Sequence, residues 1–313
     1  MEDEDFPLLI GAILGMLHPT GPYPVVVLIG GDGRAKTCTA VVILMLIDPS
    51  IVKGCSPPDN AEDLILSVLQ RWVYFVDNLS EIKSWFSDSS CRLSTGAAME
   101  RRTKYKDRDT SVFCAKRPQL FTSVRDVVKA PDLNSRTLKF DLPRVSNHKP
   151  ESDLWREFEN ARPRILGALY TAISAAIKNL PTTKVDNLPR LADFALWVQA
   201  AEPATGLIET ESDKGIILRA YAETREAAVD ELLTADVAQK LIAFPVKEWK
   251  GTGKELAEEL KVPRNTDEEV KHFVGELRTL QTALESKGVL VGFRKSNGRK
   301  LITIKKMEPS NDN

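Results

Sequence analysis

Between Gly30 and Cys38 the chain reads Gly-Gly-Asp-Gly-Arg-Ala-Lys-Thr-Cys. Glycines at 30, 31 and 33 let successive backbone N–H groups turn toward one point, and a lysine and a hydroxyl follow. That set is suited to holding a nucleoside triphosphate with Mg²⁺. Lys36 would reach the β- and γ-phosphates, and Thr37 would hold the metal through its hydroxyl. Gly30, Gly31, Asp32, Gly33, Arg34, Ala35 and Cys38 would complete the cradle. The spacing G-x-x-x-x-G-K-[ST] is met except at Ala35, where a Cβ is disfavoured if that residue needs a positive φ. The alternative is a glycine turn that binds nothing.

Three further groups fit the same chemistry. Trp72 to Asn78 reads as a buried strand ending in an acid, so Asp77 would position the metal through water. Asn78 stands where many ATPases place a glutamate base; an amide orients water but cannot take its proton. The plainer reading of Asp77 is a turn or capping residue at a strand end. The apolar stretch Pro118–Ser123 ends in hydroxyls, and Thr122 or Ser123 would lie near the γ-phosphate, or serve only a turn. Arg136 precedes the strand 137–142 and is placed to reach a nucleotide, a neighbour's, or to make a surface ion pair.

Two cationic stretches suit polyanions. Arg101, Arg102, Lys104, Lys106 and Arg108 surround Tyr105 in a hairpin predicted over 99–113. They suit phosphate contact, with Tyr105 for stacking. Glu100, Asp107 and Asp109 partly balance them, so a solvated hairpin is an equal alternative. Near the C-terminus, Arg294, Lys295, Arg299 and Lys300, with Lys305 and Lys306, lie on a hairpin turning at Asn297-Gly298. Helices followed by such a hairpin suggest a winged helix whose helix from Asp267 enters a DNA groove. Such modules also bind proteins.

The elements that must position these groups follow from periodicity. Val25 to Ile29 is a strand entered through the turn-rich His18–Pro24, and helices are predicted over 6–17, 36–47, 61–69 and 81–95. The loop 48–60 has room for a short strand near Ile51. A short helix is predicted over 124–130, then helices over 151–179, 188–202, 208–234, 235–243, from Thr252, and 267–287. Pro143–Pro150 reads as a linker. The resulting domains are a nucleotide-binding core over 1–147, a helical domain over 148–234, a winged-helix-like domain over 235–307 and a disordered tail over 308–313.

The 313 residues allow two or three domains, and 42% hydrophobic with 28% charged residues is ordinary for a soluble protein. A net charge of −1 confines nucleic-acid contact to local patches. Four cysteines lack C-x-x-C spacing and the three histidines are far apart, which argues against a zinc site or disulfide framework and for a reducing, cytoplasmic setting. The acidic start lacks the basic region of a signal peptide, and no apolar run is long enough to span a membrane.

With the residues laid out, the chain resembles bacterial and phage ATP-binding proteins related to the helicase part of primase-helicases. The resemblance rests on Gly21–Val27, the glycine loop, Asp48-Pro49, Val76–Ser80, Cys91–Gly96, Arg117-Pro118, Asp132–Leu138, Ala161–Leu169, Leu191–Trp197 and Trp249–Thr252. It implies a core of AAA+-like type, which with the helical run and the C-terminal hairpin read above gives an α/β P-loop NTPase core with an all-helical middle region and a C-terminal winged-helix-like domain. It also implies ATP and Mg²⁺ as ligands, DNA (single-stranded or forked) as partner, a homo-oligomer, and a primase or other replication partner. Ala35 and Asn78 are at home in that family, Arg136 looks like its arginine finger, and the first hairpin falls where similar ring helicases grip DNA. The chain departs from the family pattern at Gly31, Arg34 and Thr122, and in the text Lys104-Tyr105-Lys106-Asp107. The expected function is a Mg²⁺-dependent ATPase acting on DNA in a phage or mobile element. The alternative is a nucleotide-gated DNA-binding protein with little hydrolysis; a metabolic P-loop kinase explains neither cationic hairpin.

Overall fold

Strand β1 (Val25–Ile29) is buried along its whole length. Its β-branched run favours extended backbone, and Pro24 and Gly30 bound it. Val26 and Leu28 enter one hydrophobic cluster, whereas Val25, Val27 and Ile29 enter another. The strand is therefore covered on both faces, as a parallel sheet requires. The computed structural model describes residues 5–50, 52–96, 98–102, 110–262, 264–296 and 299–307. The chain forms two compact units, residues 1–222 and 223–313.

In the first unit, helix α1 (Phe6–Met16) precedes β1, and α2 (Lys36–Ile47) follows the glycine loop. Next come α3 (Ala61–Leu69), β2 (Tyr74–Leu79), α4 (Ser84–Thr95) and the antiparallel pair β3 (Ala98–Arg102) and β4 (Thr110–Cys114). Strand β5 (Gln119–Ser123), the short α5 (Pro131–Asn134) and β6 (Thr137–Asp141) complete the sheet elements. The sheet order is β2-β5-β1-β6, all parallel. Beyond β2, Cys55 makes one isolated parallel bridge to Val76, close to where the sequence suggested a short strand at Ile51; residue 51 itself lies outside the described residues. The apolar faces of α3 and α4 cover one side of the sheet. Helices α1 and α2 cover the other, together with α6 (Glu151–Asn179), α7 (Ala192–Ala201) and the start of α8 (Ile216–Leu233). No core boundary falls at the 143–150 linker, because residues from both sides of it fill one cluster.

Residues 124–130 do not form the predicted helix. The Ser123 hydroxyl donates to the Arg125 carbonyl and Asp126 accepts from Val128 N–H, so local side-chain bonds replace the helical ladder. The one helical turn comes later, where Pro131 sets its first residue. Helix α8 begins at Ile216, not at 208, because Thr210 and Asp213 close a capping box on a separate turn and Gly215 takes φ 76°. The N–H groups of Gly215 and Ile217 are then accepted by the buried Glu202 carboxylate, at 2.7 and 3.0 Å.

The second unit has its own core and takes up the rest of α8. Its elements are α9 (Asp236–Ala243), β7 (Glu248–Gly251), α10 (Gly253–Glu259), α11 (Asp267–Ser286), β8 (Val289–Ser296) and β9 (Arg299–Lys306), with sheet order β7-β9-β8. Thr252 and Thr266 each open a helix through a capping box with Glu255 and Glu269. Strand β7 has no counterpart among the predicted elements. Among the described residues, no helix is long and apolar enough to cross a membrane.

Candidate nucleotide site and cationic surfaces

Parallel pairing brings the ends of β1, β5 and β2 to one edge of the sheet. The glycine loop leaves β1 at this edge, anchored where Gly30 N–H donates to the Ser123 carbonyl at 3.1 Å. Gly33 takes φ 71°, and Ala35 takes φ 51° and ψ 27°. Ala35 thus occupies the left-handed conformation in which its Cβ is unfavourable, at about 1–2 kcal/mol for an L-residue. The loop holds it there. Arg34 donates to the Leu142 carbonyl, and the Gly33 carbonyl accepts from Val145 N–H at 3.2 Å. A Cβ at Gly30 would lie 2.6 Å from Arg34 Cδ, so the folded-back arginine needs that glycine. At Gly31 and Gly33 a Cβ would meet nothing, so this side of the loop is open.

Helix α2 starts on Lys36 and Thr37. Lys36 Nζ donates to the Gly31 carbonyl at 3.0 Å and so spans the loop. Thr37 Oγ1 lies 3.1 and 3.2 Å from the two carboxylate oxygens of Asp77. Thr122, fully buried on β5 between β1 and β2, donates to Asp77 Oδ1 at 2.5 Å and accepts from Asn78 N–H at 2.7 Å. Asn78 is exposed and takes φ 58°, where the register between β2 and β5 shifts. Asparagine tolerates this conformation better than most residues. Ser123 is occupied elsewhere: its hydroxyl lies 2.7 and 2.6 Å from the carbonyls of Leu79 and Arg125. Of the two hydroxyls left open by the sequence, Thr122 is the one beside Asp77. A lysine, a hydroxyl and a carboxylate around an open loop at a helix start are a donor set that fits a phosphate chain and a divalent cation.

Arg136 lies at the opposite edge. It precedes Thr137, which pairs with Val25, whereas the loop leaves after Ile29. Five residues of strand, roughly 16 Å, separate the two. Its guanidinium is mostly buried and meets the Asp132 carboxylate at 2.5 Å, and Arg190 meets the same carboxylate. Burial pushes the Asp132 carboxyl up, but hydrogen bonds from Arg136 and Cys91 and the charges of Arg136 and Arg190 outweigh it and hold it at about 2.

Of the first cationic stretch, the backbone of Arg101 and Arg102 closes β3, while Lys104, Tyr105, Lys106 and Arg108 lie outside the described residues. In the second unit Arg294, Lys295 and Lys300 line a cavity, and Arg299 is exposed at the start of β9. The cavity also gathers Lys254, Lys271 and Arg278, which the sequence reading did not single out. The signal was present: Lys271, Val274 and Arg278 stand at i, i+3 and i+7 on one helical face.

A parallel sheet covered by helices, with a glycine loop, a Lys-Thr helix start and a strand-end acid at one edge, fits an α/β NTPase-like fold. Residues 2–218 match the model of the actinomycete integrative conjugative element replication proteins, and the chain belongs to that family. It is thus a replication protein of a mobile element. No match is found among curated proteins. Among solved structures, an active helicase, SCCmec type IV Cch, is similar at 12% identity and a TM-score of 0.47, over 96% of this chain and 67% of that chain. The NrS-1 C-terminal region is similar at 11% identity and a TM-score of 0.43, over 98% of this chain and 72% of that chain.

Proposed function

We propose that the chain is an ATP-binding, Mg²⁺-dependent ATPase that acts on DNA as a homo-oligomer during replication of its element. The observation that carries this is the hydrogen-bonded row Thr37–Asp77–Thr122, drawn from three separate elements onto the end of the glycine loop. Lys36 would bind the phosphates, and Thr37 and Asp77 would hold the metal. When bound, Mg²⁺ supplies charge stabilisation at the terminal phosphate. Thr122 fixes the Asp77 carboxylate, and Asn78 would orient the attacking water. Arg136 would serve a neighbouring copy. The core is read as AAA+-like. Residues 235–307 are read as a winged helix, supported by the order helix, strand, helix, helix, strand, strand. Arg101, Arg102, Lys104, Lys106, Arg108, Arg294, Lys295, Arg299 and Lys300 would contact single-stranded or forked DNA, with a primase or other replication protein as further partner.

The test is phosphate release by wild type and Lys36→Ala, with and without single-stranded DNA. Wild type should release phosphate faster, and more so with DNA. Equal release sinks the ATPase reading. A second reading, nucleotide-gated DNA binding with little hydrolysis, is favoured by Asn78, which cannot accept the water's proton. It stands if wild type binds ATP and DNA yet releases phosphate no faster than the variant.

A further inference from the structure

We infer that the second unit captures the unstacked bases of a single DNA strand in the cavity between α10, α11 and the β8–β9 hairpin. The inference rests on the DNA-binding reading above and names the form of DNA and the residues that take it. The cavity measures about 640 Å³, inside the roughly 300–1,000 Å³ range of sites that enclose small ligands. Six cations line it: Lys254, Lys271, Arg278, Arg294, Lys295 and Lys300. Among the described residues, no acidic one does. Among the described residues, none of the six is engaged in an ion pair, whereas Lys287 and Lys305 of the same unit pair with Asp230 and Glu248.

Between these charges the lining is apolar, with Val270, Val274, Phe293 and Ile302. The Arg278 guanidinium carbon sits 4.9 Å from the centroid of the Phe293 ring. The two chemistries select different parts of one ligand. Six uncompensated cations attract a row of phosphates. A concave apolar surface beside an aromatic ring and a guanidinium plane rewards a flat, apolar face. Duplex DNA presents phosphates on its outside and keeps its base faces stacked, so it can satisfy the cations and not the cavity. A single strand can satisfy both, with backbone on the rim and bases turned inward. A peptide of aspartate and glutamate would satisfy the charges, but offers no aromatic face to stack on the ring and guanidinium.

The experiment compares binding of three probes to the full chain by fluorescence anisotropy: an oligothymidine strand, an abasic strand of equal length and a duplex of equal length. Oligothymidine should bind about tenfold more tightly than the abasic strand, as base stacking on a protein surface implies. Phe293→Leu keeps an apolar side chain, and Arg278→Lys keeps the charge while removing the guanidinium plane. Each should weaken oligothymidine about five- to tenfold and leave the abasic strand within about twofold. A strand carrying 5-iodouracil should photocross-link to the segment containing Phe293. Equal affinity for the two single strands, an equal loss on both in the variants, tighter binding of the duplex, or cross-links confined to the first unit would each overturn the inference. So would displacement of oligothymidine by an equimolar glutamate-rich peptide containing phenylalanine. If none of the three nucleic-acid probes binds even at low salt, the DNA-binding reading itself fails.

Discussion

Thr122 shows how much one hydroxyl can decide. It is fully buried and links Asp77 to the backbone of Asn78, so it fixes both the carboxylate and the strained turn after it. Thr122→Val keeps the shape and removes both bonds, leaving the Asn78 N–H and Asp77 Oδ1 without this partner. We expect a loss of about 1–3 kcal/mol in urea unfolding. We also expect phosphate release to fall by about 10–100-fold, the usual effect of losing a partner that orients a metal ligand. Thr122→Ser retains the hydroxyl and should recover most of both. Stability loss with unchanged turnover would mean that the Thr122 bond to Asp77 is only structural. The places of Lys36, Thr37 and Asp77 in the fold were legible from the sequence because each is fixed by its immediate neighbours: a glycine turn, a helix start, a strand end. Thr122 could not be told from Ser123 in that way. Both end the same apolar strand, and their difference lies in β2, whose Asp77 and Leu79 they contact from more than forty residues away.

Elements reproduce the same division between local and distant causes. The strand β1 was readable from its run of β-branched and aliphatic residues, and the helices from Thr252 and over 267–287 from their periodicity. Strand β7 was not, since four residues carry little periodicity and its extended form comes from pairing with β9. The short helix at 124–130 failed because Ser123 and Asp126 bond the local backbone. The turn between α1 and β1 carries a pH dependence of its own. His18 is buried against Trp197, and its Nδ1 accepts from the N–H groups of Thr20 and Gly21 at 3.1 and 2.8 Å. Burial lowers its pKa below 6.5, the Lys116 charge acts in the same direction and the Asp193 charge opposes. The unfolded chain therefore binds this proton more readily than the folded one. Stability should fall as pH drops through the unfolded value of about 6.5, and level off below the folded one. The melting temperature should accordingly be lower at about pH 5.5 than at about pH 7.5, and His18→Asn, whose oxygen can accept the same bonds, should flatten that difference. An unchanged slope in the variant would place the effect elsewhere.

At the scale of the whole molecule, linker composition suggested three domains, yet the helices after Pro150 complete the core of the sheet unit. That packing depends on which faces of α6 and α7 meet α1 and α2, and composition does not report it. The same unit separates its two candidate catalytic ends. Lys36, Thr37 and Asp77 stand at one edge of the sheet and Arg136 at the other, held by Asp132. An arginine in that position cannot serve its own loop. If it serves a nucleotide, a second copy must bring it, in a head-to-tail arrangement that joins unlike faces. Complementation tests this directly. Lys36→Ala removes nucleotide binding and keeps Arg136, while Arg136→Ala does the reverse. Each alone should release little phosphate. Mixed in equal amounts and allowed to exchange, they should recover roughly a quarter of wild-type activity. Half of the sites then keep Lys36, and half of those face an intact Arg136 across the head-to-tail contact. Arg136→Lys in place of Arg136→Ala should give the same pattern, because a lysine lacks the planar fork. Recovery absent from a mixture whose size in solution matches that of wild type would assign Arg136 a structural role, anchoring α5 to β6 through Asp132.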